Sequence, residues 1–265
     1  MVMRKKPTVA DLRAKKGKGQ LTMLRLFTLE EAAAAEEAGI DVVSVPQELV
    51  THPRYREVAP SLFSMTGVDH RSAGTREDYL RFSGQMLNAG ADAIYCSGSL
   101  ATVKFLADEH IPVVGHVGLV PSRNTWTGGF KAVGKTAEAA AALLAEVQAY
   151  EAAGAFAVEI EVVPVEVATE ISRRVGILLW SMGAGPGCDV QYLFSEDILG
   201  ENRGHMPRHA KVYRNFAAEF DRLQRERVDA YREFIADVAS GAYPEPQHVV
   251  AMNPDEMAAF LRKIS

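Results

Sequence analysis

The stretch AAGAFAVEIEVVP, residues 152–164, decides the fold. A helix-like end of small residues meets Gly154, and an apolar run begins at once. The same form appears twice earlier, as EAGIDVVSV (37–45) and NAGADAIYC (88–96). In each case the glycine stands where a helix C-terminus needs a left-handed residue, at Gly39, Gly90 and Gly154. The runs that follow are continuously apolar rather than alternating, which marks parallel strands buried on both faces.

Working outward, strands are expected at 21–27, 40–46, 62–68, 91–98, 111–118, 155–164 and 177–185, with a faint eighth between Gly185 and Gly200. Helical stretches separate them. One opens at Thr28, which has capping-box spacing to Glu31. Repeated βα units with short turns predict an α/β fold, a (β/α)8 barrel of the TIM type. No GxGxxG follows the first strand, which disfavours an open dinucleotide-binding sheet. From Ala210 to Gly241 the pattern is one long amphipathic helix; a YPEPQ loop and a short helix after Asn253 and Pro254 follow. These helices are expected to pack on the barrel or on a neighbouring subunit. The chain thus reads as a single barrel domain over 1–265, with its core at about 20–205 and a C-terminal helical region at about 210–265.

The chain has 265 residues, of which 48% are hydrophobic and 24% charged, with a net charge of −5. That balance gives no reason to expect nucleic acid or an anionic membrane as partner. The basic lead-in, with Lys5, Lys6 and then Lys15 to Lys18, reads as a solvated terminus. Cys96 and Cys188 form no CxxC pair, and no apolar run reaches spanning length, so a reducing cytoplasm is the expected location.

In such a barrel the chemistry sits at the C-terminal ends of the strands. Glu159 and Glu161 lie inside an apolar strand and alternate with Ile160, so they share a face. A carboxylate turned into a barrel is partly desolvated and its pKa should rise, as a general base near neutral pH requires. The alternative is a structural ion pair across the barrel mouth. His116 ends strand five and opens into the long glycine-bearing loop of GHVGLVPSRNTWTGGFKAVGKT (115–136). It is either a satisfied core histidine or a substrate donor. His205 and His209 have i, i+4 spacing without an HExxH pattern and read as structural. Asp189, Gln191, Glu196 and Asp197 read as turn and cap residues, and Trp126 and Trp180 as packing.

Several of these stretches together resemble the ketopantoate (3-methyl-2-oxobutanoate) hydroxymethyltransferase family. They are GHVGLVPSRNTWTGGFKAVGK, EAAGAFAVEIEVVPVEVATEI, the GAG turn with Asp189 and Gln191, and GHMPRHAKVY. The resemblance runs from about residue 7 to His248. It implies a (β/α)8 barrel of the phosphoenolpyruvate mutase/isocitrate lyase superfamily, large homo-oligomers (often decamers), and a place in pantothenate biosynthesis. It implies proton abstraction next to the carbonyl of a 2-oxo acid, then one-carbon transfer from methylenetetrahydrofolate, with magnesium holding the acid. The family's general base falls on Glu161 and its strand-five histidine on His116. The metal positions differ. The family's Asp–Ser pair after strand two matches Gln47 and Glu48, and its aspartate after strand three matches Gly67. Its Lys-x-Glu on strand four matches Tyr95 and Ser97.

The site is therefore expected to use Glu161 as catalytic base and His116, Tyr95, Ser97 and Gln47 as substrate-binding residues, with no metal ligand assigned. Glu48, Asp69 and His70 are the residues from which a displaced metal site could be built. Otherwise Tyr95, His116 and backbone amides would serve as an oxyanion hole. Two other readings stand beside hydroxymethyl transfer. One is a metal-independent carbon–carbon lyase or aldolase on a different small acid. The other is a catalytically lapsed homologue kept for binding or assembly.

Overall fold

In the computed structural model, residues 4–68 and 73–265 are described. Eight parallel strands close on themselves in chain order, each bonded to the next and β8 to β1. They are β1 Leu21–Arg25, β2 Val42–Ser44, β3 Phe63–Gly67, β4 Ala93–Tyr95, β5 Val113–Gly118, β6 Ala157–Glu161, β7 Leu178–Met182 and β8 Val190–Phe194. The faint eighth strand is real and occupies residues 190–194.

The predicted punctuation marks hold physically. Thr28 and Glu31 form a reciprocal capping box at the helix Leu29–Ala38. Gly39, Gly90 and Gly154 all have positive φ, the conformation that a side chain with a Cβ resists. The chain can therefore leave each helix and enter the next strand within a few residues.

The alternation along each strand builds two shells. Met23, Val42, Phe63, Met65, Ala93, Val114, Ala157, Leu178, Trp180 and Val190 pack into one cluster that fills the barrel. The other parity, with Val113, Val117, Val158, Ile160 and Leu179, packs outward against the helices. Gly115 belongs to this outer parity. A Cβ there would stand 2.5 Å from the ring of Tyr150, so the glycine lets the helix Ala137–Ala152 approach β5.

Asp189 does more than cap a turn. It is buried before β8, is paired with Lys16 at 2.8 Å, and accepts from the backbone N–H groups of Gly17 and Leu179. It therefore fastens the N-terminal segment to the end of the barrel remote from the strand C-termini. Trp180 packs in the interior as expected, but Trp126 does not pack: it is 91% exposed on a one-turn helix, Asn124–Thr127.

Residues 4–214 form one compact unit and residues 215–265 another. The second holds a helix Phe216–Ser240, capped by the Asn215 side chain, and a helix Pro254–Ile264. The predicted long helix thus starts at Phe216 rather than near Ala210. The segment 201–215 has no regular structure, so His205 and His209 do not share a helix face. Among the described residues no helix is long and apolar enough to cross a membrane.

Candidate active site

The barrel interior changes character at its C-terminal end. Following the inward parity upward, apolar Met23, Val42, Ala93, Val114 and Ala157 give way to Arg25, Ser44, Tyr95, His116 and Glu159. These side chains, with Ser97, Glu161, Met182 and Tyr192, line a cavity of about 560 Å³. Its location is where the barrel rule puts chemistry.

Adjacent strands deliver the central group. His116 on β5 is in register with Glu159 on β6, and Gly118 with Glu161. His116 is 3% exposed, Glu159 4% and Glu161 8%. The imidazole stands between the two carboxylates, with Nδ1 3.5 Å from Glu159 Oε2 and Nε2 3.1 Å from Glu161 Oε2. The Nε2 contact is close enough for a charge interaction but out of line for a hydrogen bond. Among the described residues Nε2 has no hydrogen-bond partner although it is buried. A buried imidazole nitrogen without a partner is costly unless something arrives to meet it.

Tyr95 Oη lies 2.7 Å from Nδ1, the two rings meeting edge to face. Burial, and next the charge of Glu159, push the Tyr95 phenol well above its ordinary range. The phenol keeps its proton and is available as donor to Nδ1. With the phenol as donor the ring hydrogen is on Nε2, beside Glu161.

The expected rise in carboxyl pKa falls on Glu159, pushed up to about 7 by burial. The charge of Glu161 raises it further, while His116 and Arg25 pull it down. Just beyond Glu161 the backbone is strained. Val162 has φ 50, a left-handed conformation that a β-branched residue rarely adopts. Its N–H donates to the Met182 carbonyl at 2.8 Å and its carbonyl accepts from Val133 N–H at 3.1 Å. Those bonds hold a turn costing about 1–3 kcal/mol, and such strain concentrates at functional sites. Gly118, φ 82, completes the approach: a Cβ there would collide with the Glu161 carbonyl. The positive-φ glycines 128, 129 and 134 let the following loop fold back beside β6.

Tyr95, Ser97, His116 and Glu161 are thus brought together as expected. Gln47 is not. The chain turns into the short helix Gln47–Val50 at Pro46, so Gln47 is exposed and lies off the cavity lining. Ser44, the last inward residue of β2, takes its place. Glu48 is exposed as well and lines a separate shallow cleft with His52. Asp69 and His70 lie outside the described residues. At Gly67 a Cβ would stand 2.8 Å from Tyr95 Cδ1, so the tyrosine ring fills the space a side chain from β3 would need. Among the described residues no group of three His, Cys, Asp or Glu side chains is arranged to hold a metal ion. His209 is half-buried against Gly183, after β7, and burial lowers its pKa.

Sequence reasoning missed Arg25, although LTMLRLF carries the signal: counting by two from the buried Met23 turns Arg25 inward.

A family model for ketopantoate hydroxymethyltransferase matches residues 64–246. The 3-methyl-2-oxobutanoate hydroxymethyltransferase of Alkalilimnicola ehrlichii is 34% identical, over 92% of this chain and 95% of that protein. The protein of the same name from Halalkalibacterium halodurans is 30% identical, over 93% of this chain and 95% of its own. Among solved structures, 2,3-dimethylmalate lyase, a PEP mutase/isocitrate lyase superfamily member, superposes with a TM-score of 0.51 at 14% identity. That match covers 98% of this chain and 100% of the lyase. Phosphonopyruvate hydrolase gives 0.50 at 17% identity, covering 97% and 99%. These two likenesses are of fold. The chain belongs to the ketopantoate hydroxymethyltransferase family.

Proposed function

We propose that this member of the ketopantoate hydroxymethyltransferase family enolises a small 2-oxo acid and joins the enolate carbon to a one-carbon unit. The observation that carries the reading is the pairing of Glu161 with the unpartnered Nε2 of His116 at the cavity wall. Glu161, one rung nearer the mouth than Glu159, takes the proton from C3. The electron pair of that C–H bond becomes the enolate π bond, and charge builds on the former carbonyl oxygen. Nε2–H of His116 donates to that oxygen, an interaction that strengthens as the charge develops. Tyr95 fixes the tautomer that makes this possible. The relatives' names support 3-methyl-2-oxobutanoate as substrate, and the family resemblance supports methylenetetrahydrofolate as one-carbon donor.

We infer that the donor set does not fit the family's magnesium ion. Magnesium requires near-octahedral oxygen ligands, carboxylate above all. At the family's metal positions the strand ends offer Gly67, Tyr95 and Ser97 instead, with Gln47 and Glu48 directed elsewhere; the two carboxylates of the cavity, Glu159 and Glu161, flank His116, and Arg25 adds a positive charge.

The test is proton exchange at C3 of 3-methyl-2-oxobutanoate in heavy water, followed by NMR without folate. Wild type is expected to exchange, and Glu161→Gln to lose exchange by about 100-fold or more, the usual contribution of a positioned base. Failure to exchange that acid, with exchange of another 2-oxo acid, would favour an aldolase on a different substrate. The Gly67–Tyr95 replacement gives that second reading its support. No exchange with any 2-oxo acid would sink the enolisation reading.

A further inference from the structure

We propose that Arg25 is the carboxylate anchor of this cavity, its guanidinium binding the acid group of the substrate at a site whose donors do not suit a divalent cation. The choice of a 2-oxo acid rests on the enolisation reading above; the recognition of a carboxylate does not.

Arg25 closes β1, in register with Ser44 on one side and Phe194 on the other. Among the described residues lining the cavity it is the only Lys or Arg. Its guanidinium is steadied from two directions. Nη1 donates to Ser44 Oγ at 2.8 Å, and the group lies 5.4 Å from the centroid of the Phe27 ring. That hydrogen bond uses one of five N–H donors. Its charge reaches Glu159, whose pKa it lowers, but among the described residues no carboxylate is bonded to the fork. Other arginines of the chain behave differently: Arg56 is paired with Asp92 at 2.7 Å, and Arg4 with Asp41 at 2.9 Å.

A guanidinium at a cavity wall, with donors left unshared, matches the two parallel acceptors of a carboxylate. The topology supplies the second anchor. In a closed ring of eight strands β1 and β5 stand opposite, so Arg25 and His116 face one another across the mouth. A 2-oxo acid carries its carboxylate and carbonyl on adjacent carbons. Arg25 takes the first, His116 Nε2 the second, and C3 is left toward Glu161 on the neighbouring β6. Where a metal would neutralise carboxylate and carbonyl together, this cavity divides the task between a guanidinium and an imidazole N–H.

The experiment is calorimetric titration of the full chain with 3-methyl-2-oxobutanoate and with its primary amide, each with and without a chelator. Wild type is expected to prefer the acid. Arg25→Met should weaken acid binding about 10- to 100-fold, the range for a charge-assisted bond, and leave the amide unchanged. Arg25→Lys should recover part of the loss, because it restores the charge without the fork. Arg25→Gln replaces Met if the Met variant does not fold by circular dichroism. The proposal is overturned if the variant binds the acid as wild type does, if acid and amide weaken equally, or if wild type binds neither. Loss of wild-type binding on chelation also overturns it. Acid binding through Arg25 without C3 exchange would leave the anchor standing and remove the enolisation reading. Exchange that needs Glu161 but ignores Arg25→Met would do the reverse.

Discussion

Replacing Glu159 by Gln tests the electrostatics of the site without using its activity. Burial pushes this carboxyl from 4.5 up to about 7 in the fold. Its folded pKa lies above the unfolded one, so the ionised form is penalised in the native state. Wild type therefore loses stability as pH rises from the unfolded value through about 7, and nothing further is lost above that. At about 1.4 kcal/mol for each pH unit, the full penalty is about 3 kcal/mol. At pH 5 only about 1 kcal/mol of it is in force, and at pH 8 nearly all. Gln keeps the shape and cannot ionise. It is thus expected to gain roughly 2–3 kcal/mol relative to wild type between pH 5 and pH 8, whatever its fixed cost near His116. Urea unfolding at the two pH values, read by the fluorescence of the buried Trp180, measures the change. A stability difference that stays constant with pH would refute the reasoning, and one that moves in favour of wild type would show that the charged carboxylate is stabilised in place.

Two further outcomes follow from the same layer. Gly67→Ala should cost about 1–3 kcal/mol by overpacking against Tyr95, and the cost should largely vanish in a Tyr95→Ala background, a coupling that a double-mutant cycle reads directly. Tyr95→Phe keeps the ring but leaves Nδ1 of His116 without its donor; C3 exchange should fall about tenfold, with a stability loss of about 1–3 kcal/mol for the unpaired group.

The barrel was legible because its signals are local. Apolar runs of strand length, each following a glycine that ends a helix, need no partner to be recognised. β8 was faint for a physical reason: three of its five residues, Gln191, Leu193 and Phe194, are only partly buried, and Gln191 bonds back to the Gly185 carbonyl. Glu159 and Glu161 were legible as a pair because strand alternation is rigid. Gln47 was misplaced because matching residue for residue assumes that the strand continues, whereas the chain turns into a helix at Pro46. The Gly67–Tyr95 exchange of space could not be read along the chain. It depends on two strands meeting in register, which only the closed sheet supplies.

On the proposed reading, that exchange ties together the departures from the metal positions that the family resemblance implies. A side chain at position 67 and a tyrosine at position 95 compete for one volume, so the ring occupies the place that an aspartate at 67 would need. On that reading the tyrosine orients His116, and an imidazole N–H meets the oxyanion where the family's metal would have stood. The remaining negative charge of the substrate still requires an opposite charge, and β1 presents Arg25 across the mouth. None of these changes touches the apolar layers below, where Met23, Phe63, Leu178 and Trp180 hold the strands together. On the proposed reading the fold persists while the topmost ring of side chains works through hydrogen bonds and a fixed guanidinium. That ring is also where the fold carries its local costs: the left-handed backbone of Val162 and the buried carboxyl of Glu159, pushed up to about 7.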